Sequence, residues 1–131
     1  MPTAAPPPTL EVYYAPSCAP CRLELPAVAE FARVDGSRVR IVIVSDEVRA
    51  RVDISQVSRA LASQAISEAH STPQATLRAA GDNDGILPFA RSLAANGQIC
   101  ARWRGQLTFG RAQQLVSACA HAPISPPSHR S

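Results

Sequence analysis

The stretch Leu10-Glu11-Val12-Tyr13-Tyr14-Ala15-Pro16-Ser17-Cys18-Ala19-Pro20-Cys21 joins a β-type segment to a helical one, and two thiols sit at the join. Leu10 to Tyr14 has the β-branched and aromatic content of a short strand, which stops at Pro16. From Pro20 to Val34 the apolar residues Leu23, Leu25, Val28, Ala29, Phe31 and Ala32 follow a helical period, and Asp35-Gly36-Ser37 closes the helix. Cys18 thus falls at a helix N-terminus. Unpaired backbone N–H groups and the positive end of the helix dipole favour thiolate over thiol there, which marks Cys18 as the nucleophile. Cys21, one turn on, is within disulfide reach of Cys18 and is expected deeper against the sheet, as the thiol that resolves a mixed disulfide. Pro20 suits the first helical turn, where its missing N–H costs nothing.

Working outward, Arg38 to Ser45 holds Val39, Ile41, Val42, Ile43 and Val44, a near-continuous apolar run that fits a strand buried on both faces. Asp53 stands as an N-cap before Ile54, Val57, Leu61, Ala65 and Ile66, whose spacing predicts a long second helix ending near His70. Ser71-Thr72-Pro73 interrupts it, Pro73 to Ala80 predicts one or two further turns, and Gly81 to Gly85 is a loop. Ile86 to Ala94 and Gln98 to Arg104 read as strands joined by Ala95-Asn96-Gly97, a hairpin signal. Along the second of them Trp103 is expected to pack on one face while Arg102 and Arg104 meet solvent. Thr108 to His121 predicts an amphipathic final helix. The order β-α-β-α-β-β-α predicts an α/β fold with one mixed sheet between helices. Of the 12 prolines, seven lie in Pro2 to Pro8 and Pro123 to Pro127. Residues 1–8 and 123–131 are therefore expected as disordered tails around a domain at 9–122.

The length of 131 residues suits one core, and 46% apolar against 18% charged residues suits a folded chain. The net charge of +3 comes from scattered arginines without a basic stripe, which argues against nucleic-acid binding. No run of eighteen apolar residues is present. Met1 leading directly into PTAAPPPT is expected of a chain trimmed of a leader or anchor, the alternative being a cytosolic protein with a disordered tip.

At this point the sequence resembles the thioredoxin superfamily. The stretch Tyr14 to Cys21 carries the resemblance together with Pro26 five residues after Cys21, Ile86-Leu87-Pro88 opening a strand, the Asn96-Gly97-Gln98 hairpin, and Gly105 to Thr108 entering the last helix. It implies a three-layer α/β/α sandwich and a thiol–disulfide oxidoreductase. Pro26 matches the proline that kinks the active-site helix. The resemblance also implies a cis peptide at Pro88, packed beside the dithiol. The Leu87 backbone would then pair with an extended substrate peptide, next to Ala19 and Pro20 of the dithiol turn. The residues alone allow a plainer reading, with Pro88 as the first residue of an edge strand.

Departures narrow the resemblance. Val12 occupies the position of thioredoxin's buried acid, no Lys exists to pair with one, and Tyr14 and Pro16-Ser17 replace the two active-site tryptophans. These changes are similar to exported, often membrane-tethered relatives of the TlpA or ResA type. Phe89 departs from the subgroup devoted to cytochrome c maturation. About forty residues between Ser45 and Pro88 leave no room for the large helical insertion of DsbA-type oxidants, and Ala-Pro between the thiols is close to Gly-Pro, so a reductase is expected. Implied partners are a disulfide-containing protein and a membrane-bound thiol donor. The protein is expected to be a periplasmic or otherwise exported monomer that needs no cofactor.

Cys100 and Cys119 complete the count of four cysteines. Once the adjacent pair is set aside they have only each other, on a strand and a helix that should pack together. They are either a structural disulfide or two small buried thiols. A competing function is a Cu(I)-binding or copper-trafficking module built on the dithiol alone, since soft thiolates suit Cu(I). Asp46-Glu47 and Asp82-Asn83-Asp84-Gly85 are expected as solvated loops, the latter lacking the Glu that an EF-hand needs.

Overall fold

A computed structural model of the chain describes residues 6–67 and 72–121. The elements are β1 (Thr9–Tyr14), α1 (Ala19–Asp35), β2 (Arg38–Ile43), α2 (Glu47–Val57), α3 (Arg59–Ser63), β3 (Ile66–Ser67), α4 (Pro73–Ala79), β4 (Phe89–Leu93), β5 (Ile99–Arg104) and α5 (Phe109–His121). They build a five-stranded sheet in the order β3-β2-β1-β4-β5. β1 to β3 run parallel, while β4 is antiparallel to both β1 and β5.

β1 is central, and its alternation divides the core. Leu10, Val12 and Tyr14 join Val39, Ile41 and Ile43 on one face, where they pack against Leu25, Val28 and Phe31 of α1, Ile54 of α2, Leu61 of α3 and Leu115 of α5. Phe31 meets Phe109 edge-on at 5.7 Å between ring centroids, tying α1 to α5. The opposite face is thinner: Tyr13, Val42, Val44 and Phe89 pack against Leu77 and Ala80 at the end of α4. Beside them the buried Glu11 carboxylate accepts from Arg40 at 2.7 Å and from Arg91 at 2.8 Å, and Arg91 also donates to the Ala80 carbonyl at 2.9 Å. A charge this close to the central strand is tolerated because two guanidiniums face it.

The structure corrects the helix expected from Asp53 onward. α2 begins at Glu47, with Asp46 at its N-cap. It ends at Val57, and the side chain of the following Ser58 caps the next helix by accepting from the Leu61 N–H at 3.1 Å. Asp53 therefore lies inside α2. Ile66 and Ser67, placed by their spacing on that helix, instead pair with Val42 and Ile43. The open edge of β2 offers unpaired backbone groups that a local period cannot register. The expected end near His70 lies outside the described residues, as do residues 1–5 and 123–131 of the expected tails and Ala122 at the end of the expected domain. β4 starts at Phe89 rather than Ile86. The hairpin closes through the Ala94 N–H on the Gln98 carbonyl at 2.8 Å, with Gly97 at φ +90°.

Candidate active site

The strand-to-helix turn after β1 places Cys18 at the N-cap of α1. Its φ of −93° and ψ of 103° are extended, the usual N-cap conformation, and its Sγ accepts from the Cys21 N–H at 3.2 Å. Cys18 and Cys21 are joined as a disulfide, with 5.2 Å between their Cα atoms. The two sulfurs differ in access: Cys18 is half-buried, whereas Cys21 is 0% exposed. The Arg22 guanidinium reaches back to the Pro16 carbonyl and braces the turn from outside. Ala19 and Pro20 are exposed at the helix mouth. Pro26 lies within α1, where it removes the bond to the carbonyl four residues before it.

Two groups under this turn have partners that the sequence reading does not foresee. Glu24 is buried at 1% exposure, and its Oε1 accepts from the Leu107 N–H at 2.7 Å. Burial pushes its carboxyl up to about 8, with the Leu107 N–H acting in the opposite direction. A buried acid, absent at Val12, stands instead on α1, one turn along the helix face that carries Cys21, Leu25 and Val28. The available signal was a Glu on an apolar stripe, since such a residue is seldom buried without a task. Tyr14 is the second group. It is wholly buried, and its hydroxyl donates to Asp53 Oδ2 at 2.8 Å. Burial, then the hydrogen bond and charge of Asp53, hold the phenol well above its ordinary value, so it stays protonated.

The β1–β4 register pairs Tyr13 with Phe89, which brings Leu87 and Pro88 to the end of the sheet from which β1 runs into Cys18. The Leu87–Pro88 peptide is cis. Leu87 and Cys18 pack against the same core cluster. A groove of about 360 Å3 opens here, lined by Ile86, Leu87, Pro88, Arg104 and Gly105. The Gly105 N–H donates to the Pro88 carbonyl at 3.1 Å. Ile86 is 58% exposed, an apolar side chain left open in the lining of this groove.

Cys100 and Cys119 form a second disulfide, from β5 to α5, with 5.0 Å between their Cα atoms. Ile99 pairs with Leu93, and Leu93 with Thr9, so this bond sits at the opposite end of the sheet from Tyr14. About 17 Å of strand separates the two ends. Trp103 packs against the core, with the Arg111 guanidinium 3.9 Å from its ring centroid. Asp84 pairs with Arg104 and Glu47 with Arg51. Among the described residues no group of three or more His, Cys, Asp or Glu side chains comes together, so a metal at the dithiol would take two thiolates from this chain.

No protein-family model matches the chain, and no curated protein matches it. Solved structures do. A thioredoxin-related protein from Neisseria meningitidis serogroup B superposes with a TM-score of 0.74 at 17% identity, over 91% of this chain and 89% of the other. DsbF of Mycobacterium tuberculosis gives 0.66 at 18%, over 88% and 82%. StoA from Bacillus subtilis gives 0.57 at 18%, over 88% and 84%. The chain has the thioredoxin-like α/β fold of these proteins, and it carries a Cys-X-X-Cys pair at Cys18 and Cys21.

Proposed function

We propose that this thioredoxin-fold chain is a thiol–disulfide oxidoreductase that reduces protein disulfides, with Cys18 as nucleophile and Cys21 as resolving thiol. One observation carries the proposal: an accessible sulfur and a sealed one share the first turn of α1, and a buried carboxyl lies one turn beyond them. In the reduced form the Cys18 thiolate attacks a substrate disulfide. A bond forms between Cys18 and one substrate sulfur, the substrate S–S bond breaks, and one substrate thiolate leaves. Cys21 then gives up its proton, attacks Cys18 Sγ and closes the intramolecular bond as the second substrate thiolate leaves. Two electrons pass to the substrate, and its sulfurs take up two protons. Glu24, with its carboxyl at about 8, is matched to receive the Cys21 proton, because its affinity for protons approaches that of a thiol.

The reducing direction is supported by the short helices α2, α3 and α4 between β2 and β4, and by Ala-Pro between the thiols. Leu87, Pro88, Ala19 and Pro20 surround the dithiol as the surface on which a protein disulfide docks, and Pro26 shapes the helix beneath it. Regeneration needs a dithiol donor, which we assign to a membrane-bound protein of an exporting cell. An exported, monomeric protein fits the second disulfide, since such bonds persist in oxidising compartments. One neighbour is itself a secreted Mycobacterium tuberculosis disulfide oxidoreductase. No described helix is long and apolar enough to cross a membrane.

Equilibrating the protein in glutathione and dithiothreitol buffers, with alkylation to trap each state, tests the direction. A potential near −270 mV is expected, in the range of reductants. A value near −120 mV would make the protein an oxidant.

A further inference from the structure

The loop that leads into the groove holds a buried acid that the sulfur chemistry does not use. Asp82 is 0% exposed. Its N–H donates to the Leu77 carbonyl at 2.9 Å, and its carbonyl accepts from the Gly85 N–H at 3.0 Å. Its Oδ2 accepts from the Ile86 N–H at 3.0 Å, one residue before Leu87. Oδ1 has no hydrogen-bond partner, and the cation facing it is Arg104, with Nε at 3.7 Å. Arg104 Nη2 binds Asp84 Oδ2 at 2.5 Å. The same arginine forms one wall of the groove, and its neighbour Gly105 donates to the Pro88 carbonyl. The Ile86-Leu87-Pro88 segment is therefore held at Ile86 by Asp82, which Arg104 at the end of β5 faces, and at Pro88 by Gly105.

A carboxylate oxygen sealed from water without a hydrogen bond is costly, and its charge is offset here by a single guanidinium. The two groups are energetically dependent on each other, and the backbone they hold is the lining of the groove. We propose that Asp82 and Arg104 are positioning residues for the peptide substrate. They set where the Ile86-Leu87 backbone meets an incoming strand, and so govern affinity for protein disulfides while leaving the sulfur exchange itself unchanged. The proposal rests on the oxidoreductase reading above.

The test compares a protein disulfide with a small neutral one. Asp82→Asn and Arg104→Met are assayed in reduced form against insulin, which presents a peptide segment, and against bis(2-hydroxyethyl) disulfide, which presents none. The expected result for each variant is a KM for insulin raised about tenfold with kcat within about twofold, and a small-disulfide rate within about twofold of the parent. The double variant is expected to be no worse than the poorer single one, because removing both partners leaves no orphaned charge. Should Asp82→Asn fail to fold, Arg104→Met and Arg104→Lys carry the same comparison from an exposed position. An unchanged KM in folded variants, or equal losses on both disulfides, would overturn the proposal. A parent protein inert to both disulfides would overturn the oxidoreductase reading and this proposal with it, before any substitution is made.

Discussion

The two disulfides stand at opposite ends of one sheet and in different surroundings. Cys18–Cys21 spans three residues of one helical turn, with an accessible sulfur, a buried one, and a carboxyl of raised affinity for protons beneath. Cys100–Cys119 spans 19 residues and joins a strand to the last helix. Both of its sulfurs are half-buried, and Cys100 Sγ makes only a long contact, 3.9 Å, to the Gln98 carbonyl. Neither of its sulfurs lies at a helix N-terminus. A disulfide closing a short loop constrains the unfolded chain little, whereas one closing a longer loop stabilises the fold more. The difference teaches that what separates the two bonds is the surroundings of their sulfurs, since both pairs are oxidised alike.

The sharpest way to break this comparison is to remove one sulfur at the dithiol end and, separately, both sulfurs at the far end. Cys18→Ser should lower insulin reduction by at least about 1000-fold, while Cys100→Ser with Cys119→Ser should leave it within a few-fold. Comparable losses from both would mean that the far bond takes part in exchange.

Next in size is a pH effect confined to the dithiol end. The Glu24 carboxyl is raised from 4.5 to about 8 in the folded protein. Between those values the native state binds the proton more tightly than the unfolded state. The stability that the Glu24 carboxyl contributes is therefore fully present below pH 4.5 and is lost as pH rises through about 8, by a total on the order of 3–5 kcal/mol. Urea titrations of the oxidised protein across this range should show the decline, and Glu24→Gln should flatten it. A parallel decline in both proteins would remove Glu24 as its source.

The far end is tested by stability alone. Replacing Cys100 and Cys119 by Ser should cost about 3 kcal/mol in urea unfolding, from the longer loop left open in the unfolded chain. The smallest effect belongs to the neighbouring hairpin. Gly97 has a φ of +90° and open space around its Cα, so Gly97→Ala meets backbone strain without a clash. A loss of about 1 kcal/mol is expected, with exchange kinetics unchanged. A change in those kinetics would show that the two ends communicate.

How far the residues spoke for themselves depended on how local each feature is. The strand ending at Pro16, the thiols at the next helix and the Asn96-Gly97 hairpin depend on neighbours a few positions away, and their places in the fold were legible. Ile66 fits a helical period on paper, yet the free edge of β2 recruits it as β3. Asp53 has the chemistry of an N-cap, but its partner is the hydroxyl of Tyr14, 39 positions earlier. Glu24 stands out only as a Glu on an apolar stripe until α1 is laid against the N–H of Leu107, 83 positions on.

The sequence by itself determined the junction where Cys18 meets the helix mouth, because backbone sterics, proline placement and the helix dipole act within a single turn. Only the tertiary structure decided which carboxyl lies beneath the thiols, how Cys100 meets Cys119, and which arginine faces Asp82. Each of these needs two distant segments brought together by the packing of the core, and burial and charge compensation arise only once that packing exists.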